Sequence, residues 1–175
     1  MVAKRILAVA VVALIVAPAA FARRSSSVGE TRVQSLNAGV LVQLNAIRTQ
    51  HGLVPLTLNA QLSTAARGHS EQMLADGYFA HNSYDGSAFW KRMADYERGA
   101  SNGYWSVGEN LLWSSPTVDA VQALKLWMAS PEHRANILTA KWRQIGIASV
   151  HAATASGAFG NRAVTVITTD FGVRG

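Results

Sequence analysis

Residues 130–138 read Ser-Pro-Glu-His-Arg-Ala-Asn-Ile-Leu, and they mark the point where the chain changes from helical to strand-forming sequence. Ser130 is a typical helix N-cap and Pro131 suits the first helical position, so the stretch predicts a short helix that ends near Leu138. Beyond it, Ile145–His151 and Ala163–Phe171 are rich in β-branched residues and predict strands. The second of these strands does not alternate between apolar and polar residues, which is typical of an inner strand covered on both faces.

The stretches upstream of residue 130 predict mainly helices. Apolar residues recur at three- and four-residue steps between Val33 and Ile47, and Gly52 follows where a left-handed cap would end the helix. Asn59 is a candidate N-cap for a second helix, which Gly77 would end.

The middle of the chain predicts shorter elements. We expect a short helix over Ala88–Ala94, a loop over Tyr96–Tyr104 and a strand over Ser106–Trp113. Ser115-Pro116 repeats the cap-and-proline signal and predicts a helix that runs to about Met128. Helices first and strands last, without alternating β-α-β units, indicate an α+β fold in one globular domain.

The N-terminus has the features of an export signal. Lys4 and Arg5 precede the apolar run Ile6–Ala20, and small residues at 20 and 22 predict cleavage after Ala22. The alternative is a membrane anchor, but the run is shorter than the ~20 residues that a spanning helix needs. We therefore expect a signal peptide over residues 1–22, a flexible lead-in over 23–32 and a single domain over 33–175. The protein would be secreted, extracellular or periplasmic, with no stable membrane anchor after cleavage.

Composition excludes several classes of function. The chain of 175 residues contains no Cys, which removes disulfides, thiolate catalysis and Cys-ligated metals. Without Lys4 and Arg5, 14 basic residues face 10 acidic ones, and this charge of +4 lacks the basic cluster of a nucleic-acid site. An exported chain without Cys indicates a bacterial origin, since small eukaryotic secreted domains usually depend on disulfides. There is also no Gly-x-Ser-x-Gly elbow of a serine hydrolase.

Four motifs in order resemble the CAP superfamily, which comprises cysteine-rich secretory, venom-antigen and plant pathogenesis-related proteins and their bacterial relatives. They are Leu-Asn-Ala-Ile-Arg at 44–48, Ala-Arg-Gly-His-Ser at 66–70 with Phe-Ala-His-Asn at 79–82, Gly-Glu-Asn at 108–110, and Trp127 with the 130–138 stretch. The Ser-Pro-Glu-His-Arg variant resembles the bacterial branch. The resemblance implies a three-layer α-β-α sandwich with a small, largely antiparallel sheet and a cleft on one side.

The resemblance also implies a site made of His81, Glu109 and His133, which match residues that line the floor of the family's cleft. Neutral imidazoles and a carboxylate are the ligand set of an open Zn²⁺ site, so these residues would be able to hold a divalent metal such as Zn²⁺. The histidines are far apart in sequence, so only the fold can bring them together. A second Glu is usual in disulfide-rich members, but Ser130 stands at that position, and neighbouring Glu132 could substitute or be a surface acid.

Each candidate residue also has a structural interpretation. His81 could satisfy a helix end, His133 could bond loop carbonyls, and Glu109 is an acid in an apolar strand that needs a partner in any case. His69 lies on the apolar face of its helix and is expected to be a core histidine. Trp90 and Trp105 could line a groove for an apolar ligand.

Three functions remain open from the sequence. The first is a secreted binding module for a lipid, glycan or peptide, monomeric and without catalytic residues. The second is a metal-assisted hydrolase, peptidase- or esterase-like, in which Zn²⁺ activates water. The third is a purely structural or partner-binding protein. Binding is favoured over catalysis, because a Glu109 that ligates metal cannot readily serve as general base as well.

Overall fold

A computed structural model describes residues 19–175, with side chains from residue 33 onward. The helices are α1 (Ala19–Gln50), α2 (Ala60–Asp76), α3 (Ala94–Glu97), α4 (Ala120–Ala129) and α5 (Pro131–Ile137). The strands are β1 (Thr57–Leu58), β2 (Trp105–Ser114), β3 (Gln144–Ala155) and β4 (Arg162–Arg174). Short 3₁₀ helices cover Phe89–Met93 and Gly157–Phe159.

The strands form one sheet in the order β1-β3-β4-β2. The β3–β4 and β4–β2 pairs are antiparallel, while β1 pairs with β3 in parallel. This confirms the predicted small, largely antiparallel sheet and the α+β class. The β4 strand is buried without interruption from Val164 to Phe171, as predicted for an inner strand.

Helices cover both faces of the sheet, which confirms the predicted α-β-α layers. On one face, Leu44 of α1 and Trp127 of α4 pack into a cluster with Ile145, Ile167 and Phe171. On the other face, a second cluster joins α2 to the alternate residues of the strands, and it comprises Met73, Leu111, Ala155, Phe159, Val164 and Val166. The side chains of β4 therefore alternate between two buried layers.

Helix α2 begins and ends at the predicted residues. The Asn59 side chain accepts a hydrogen bond from the Leu62 N–H at 3.0 Å, and Gly77 ends the helix with a φ of +68°. The buried residues of α2 include His69 and Ser70, which face the sheet together with Leu62 and Met73. The caps set the two ends of α2, and its buried face places His69 in the core.

Helices α4 and α1 begin at residues other than those predicted. Helix α4 does not start at Ser115-Pro116 but at Ala120, because the Asp119 carboxylate caps it by accepting from the Gln122 N–H at 2.8 Å. Helix α1 starts well before Val33, at Ala19, and gives residues 23–32 a helical backbone. Residues 1–18 of the predicted signal peptide lie outside the described residues, so the signal peptide and the flexibility of the lead-in stay predictions.

Within residues 19–175, no helix combines the length and the apolar character needed to cross a membrane.

Candidate functional site

Glu109 lies in the middle of β2, directly opposite Asp170 of β4. Both side chains point to the face covered by α2, as do those of Val107 and Leu111 at alternate positions of the strand. The Glu109 side chain is only 1% exposed. A charge this deep requires compensation, because burial of an unpaired carboxylate is strongly unfavourable.

Two groups compensate the Glu109 carboxylate. The His81 Nδ1–H donates to Oε1 at 2.8 Å, and a terminal nitrogen of Arg92 donates to Oε2 at 2.5 Å. Arg92 also donates to the His81 carbonyl at 2.8 Å and to the Ser83 hydroxyl at 3.1 Å. One guanidinium therefore fixes both the carboxylate and the backbone that carries the histidine. The His81 side chain is 52% exposed, so it is the member of the cluster that solvent or a ligand reaches.

Asp170 places a second carboxyl group beside Glu109. It is fully buried, and burial, followed by the charge of Glu109, raises the pKa of Asp170 well above its usual range. As an anion it has no hydrogen-bond donor among the described residues, whereas a protonated Asp170 can donate to Glu109. Burial and the missing donors therefore favour the neutral form of Asp170.

His69 lies next to the cluster and is fully buried, as expected for a core histidine. One ring nitrogen, Nε2, donates to the Ala80 carbonyl at 2.9 Å, next to His81 in the chain. The Tyr78 hydroxyl lies 3.4 Å from the other, Nδ1, and burial is the main cause that lowers the pKa of His69. A neutral His69 thus anchors the turn that presents His81.

His133 approaches from the opposite face of β2. The Asn110 side chain points away from Glu109 and donates to the His133 carbonyl at 3.1 Å. Burial and, second, the charge of His81 lower the pKa of His133, so the two imidazoles lie within electrostatic range. Nothing in the described part of the chain hydrogen bonds to the His133 ring. The His133 backbone therefore lies on the face of β2 opposite to the Glu109 side chain, and of the two histidines only His81 hydrogen bonds to Glu109.

As it stands, Glu109 is not free to ligate a divalent cation. Arg92 already occupies one oxygen of Glu109, and His81 directs its Nδ1–H at the other. Among residues 33–175, no group of three or more His, Asp or Glu side chains is placed to hold a metal ion. The Zn²⁺ site of His81, Glu109 and His133 stays a prediction, which metal titration tests.

The sequence reasoning missed Arg92 and Asp170. Arg92 lies in a helical turn with no motif of its own, so its reach to Glu109 depends on tertiary structure. Asp170 had a signal, because it is an acid in a predicted inner strand that is covered on both faces, and such an acid needs a partner. Trp90 and Trp105, expected to line a groove, have ring centroids 6.4 Å apart, and Trp90 is 44% exposed.

A separate cavity lies between α4 and α5. It has a volume of about 330 Å³ and is lined by Met128, Ala129, Pro131, Arg134, Ala135 and Leu138. Apart from Arg134, it carries no side chain able to do acid–base chemistry, and none of its lining residues belongs to the Glu109 cluster. The cavity is therefore separate from the Glu109 cluster.

Comparison with known proteins gives one family. The model of the CAP family, described as the cysteine-rich secretory protein family, matches residues 41–168. The uncharacterized protein YkwD of Bacillus subtilis is 34% identical over 119 residues, which are 67% of this chain and 44% of that protein. An uncharacterized membrane protein of the same organism, YlbC, is 29% identical over 66% of this chain and 32% of its own length. The chain thus spans less than half the length of these curated relatives.

Solved structures share the fold. An extracellular protein containing an SCP domain from Bacillus anthracis has a TM-score of 0.65 at 24% identity, over 84% of this chain and 43% of that one. An outer surface protein from Borrelia burgdorferi has a TM-score of 0.61 at 16% identity, over 77% of this chain and 90% of that one. At these identities the likeness concerns the architecture alone.

Proposed function

Since this chain belongs to the cysteine-rich secretory protein (CAP) family, we propose that it is an exported ligand-binding domain whose site is the cluster around Glu109. His81 and His133 form the two sides of the site, and Arg92 fixes its charged floor. The proposal assigns no catalytic residue and routes no step through a metal ion.

One observation supports binding over hydrolysis. Both oxygens of Glu109 accept hydrogen bonds, one from His81 at 2.8 Å and one from Arg92 at 2.5 Å. A general base must also be reached by the water that it activates, and the Glu109 side chain is only 1% exposed. Glu109 instead resembles a fixed anion that orients an exposed imidazole, and such preorganised polar groups give a binding site its specificity.

Export is supported by the N-terminal sequence. Residues 1–22 have the basic start, apolar run and small residues of a signal peptide. One structural neighbour is described as extracellular and another as an outer surface protein. Sequencing the N-terminus of the protein recovered from the medium or periplasm tests cleavage after Ala22.

The binding proposal is tested with three probes of different chemistry. They are a phage-displayed library of random decapeptides, chitotetraose, and vesicles of phosphatidylglycerol. We expect at least one probe to bind saturably, and we expect Glu109→Gln to weaken that binding by about tenfold or more, since one charge-assisted contact contributes about 1.5–3 kcal/mol.

Glu132→Gln is the matched control. It removes the same charge from an exposed acid whose only hydrogen-bonding partner among the described residues is the Ser130 hydroxyl. Saturable binding that responds to Glu109→Gln and not to Glu132→Gln supports the proposal. Failure of all three probes, or equal loss in both variants, contradicts it. Turnover of a peptide or ester that Glu109→Gln abolishes would favour the hydrolase instead.

A further inference from the structure

Strand β2 lies at one end of the sheet order β1-β3-β4-β2, so its outer edge has no neighbouring strand among the described residues. In an antiparallel pair, successive residues of an edge strand direct their backbone N–H and C=O groups alternately toward the partner strand and away from it. Whether the outward groups are free decides whether β2 can accept another strand.

The direction of each residue follows from contacts at the neighbouring strand. The Gly172 carbonyl of β4 accepts from the Arg143 N–H at 3.0 Å, on the β3 side. Since Gly172 lies opposite Val107, the backbone groups of Val107 point outward. Tyr104, three residues earlier, accepts from the Gly175 N–H at 3.1 Å and so points inward. Trp105, Val107 and Glu109 therefore all present their backbone groups to the outer edge.

One end of this edge is already closed. The indole N–H of Trp127 donates to the Leu111 carbonyl at 3.0 Å, the next outward group after Glu109. For the outward groups of Trp105, Val107 and Glu109, the described residues provide no hydrogen-bond partner. Glu109 is 7% exposed as a residue while its side chain is 1% exposed, so the accessible part is its main chain. The open edge thus runs over residues 105–109.

The open edge coincides with the candidate site. His81 contacts the Glu109 side chain on one face of β2, and the His133 backbone is bound to Asn110 on the other face. Trp90 extends the surface next to Trp105. A row of backbone donors and acceptors at every second residue matches an extended polypeptide, whereas sugars and lipids lack that repeat.

We infer that residues 105–109 of β2 bind an extended peptide by strand addition, between His81 and His133. The inference rests on the proposed function, because it names the ligand class of the same site. Backbone hydrogen bonds to Trp105, Val107 and Glu109 would hold the peptide, and the exposed imidazole of His81 would contact its side chains. The competing occupant is a second copy of this chain, paired edge to edge.

The test is Val107→Pro, with Val107→Ala as its matched control. Proline removes the outward N–H but no hydrogen bond to β4, and edge strands tolerate it at such positions. Alanine truncates the same side chain and keeps the N–H. Decapeptides selected from the library are synthesised and titrated against both variants. We expect Val107→Pro to bind the peptides about tenfold or more weakly than Val107→Ala does. The reason is that it loses one backbone hydrogen bond to the peptide, together with the alignment that this bond gives the peptide along the strand.

A second measurement keeps the inference falsifiable if Val107→Pro does not fold. N-methylation of alternate peptide residues should abolish binding in one register and leave it intact in the other. Equal binding of the two Val107 variants, or insensitivity to N-methylation, overturns the inference. So does dimerisation, detected by sedimentation, that Val107→Pro abolishes. If chitotetraose or vesicles bind and no peptide does, strand addition is overturned while the binding function stands.

Discussion

Arg48 and Arg92 are both largely buried, and their charges are compensated in different ways. Arg48 of α1 is fully buried and has no carboxylate partner among the described residues. Its guanidinium donates to four backbone carbonyls, those of Val54 at 3.1 Å, Ile137 at 2.6 Å, Thr139 at 3.0 Å and Trp142 at 3.4 Å. Burial lowers the pKa of Arg48, although it stays ionised at neutral pH because arginine is effectively always protonated in proteins.

Arg92 instead belongs to a network of titratable groups. Its strongest partner is Glu109, which also contacts His81 and neighbours the buried Asp170. Its Nε is buried without a hydrogen-bond partner among the described residues. Arg48 joins segments that are remote in the chain, whereas Arg92 holds a charged group at an open strand edge. The difference separates a structural cation from one that belongs to a site.

Arg48→Met removes the structural cation and should have the largest effect on stability. It leaves four carbonyls without their donor, so we expect the free energy of unfolding to fall by about 3–5 kcal/mol. Peptide affinity of the folded fraction should not change, because Arg48 does not contact β2. Denaturant unfolding measures the first effect and peptide titration the second. An Arg48→Met protein of full stability would show that the four contacts are energetically minor.

Glu109→Gln removes the negative charge that Arg92 and His81 contact. We expect a smaller loss of stability, about 1–3 kcal/mol, because Arg92 keeps its contacts to the His81 carbonyl and Ser83. Binding should fall together with stability, in contrast to Arg48→Met. Denaturant unfolding at neutral pH gives the first quantity. A loss larger than that of Arg48→Met would mean that the Glu109 cluster is mainly a structural element.

The stretches that fold locally were predictable from the sequence. Asn59 and Gly77 delimit α2 because caps act on their own helix, and the inner position of β4 follows from its run of β-branched residues, in which apolar and polar positions do not alternate. Ser115-Pro116 misled because the side chain that caps α4 is Asp119. Pairing across the fold was only partly predictable. His81 and Glu109 were placed together by resemblance, while Arg92 and Asp170 reach them through tertiary contacts that no local pattern encodes.

Arg48 was also overlooked, although its spacing carried a signal. It lies four residues after Leu44, on the apolar stripe of α1, where a charged residue must be satisfied by the surrounding fold. A charge on a buried stripe is therefore worth treating as a candidate structural cross-link.

Asp170→Asn should change how the stability of the protein depends on pH. The pKa of Asp170 is raised in the folded state, so between the ordinary value near 4 and the raised value the folded protein binds more protons than the unfolded chain. Stability contributed by this group is complete below pH ~4 and is lost as pH rises. We expect Asp170→Asn to remove that loss and so to raise the free energy of unfolding at neutral pH.

Unfolding titrations between pH ~4 and ~8 on both proteins check this prediction. Parallel curves for the two proteins would mean that folding does not raise the pKa of Asp170, which would contradict the account.

Zn²⁺ should have the smallest effect. In this arrangement Arg92 competes for Glu109, so we expect no rise in Tm with Zn²⁺ concentration at neutral pH. Calorimetry with His81→Ala and His133→Ala as controls gives the answer. A concentration-dependent rise that both variants abolish would instead establish the predicted metal site and require Arg92 to move away.

Peptide binding at the open edge of β2 is tested by amide hydrogen exchange of residues 105–109, measured with and without a selected decapeptide. In the free protein the amides of Val107 and Glu109 should exchange rapidly, and those of Ser106 and Gly108, which face β4, should be protected. At saturation with the peptide, Val107 and Glu109 should become protected as well. Protection of these two amides in the free protein, or no change at saturation, would contradict the open edge as the binding site.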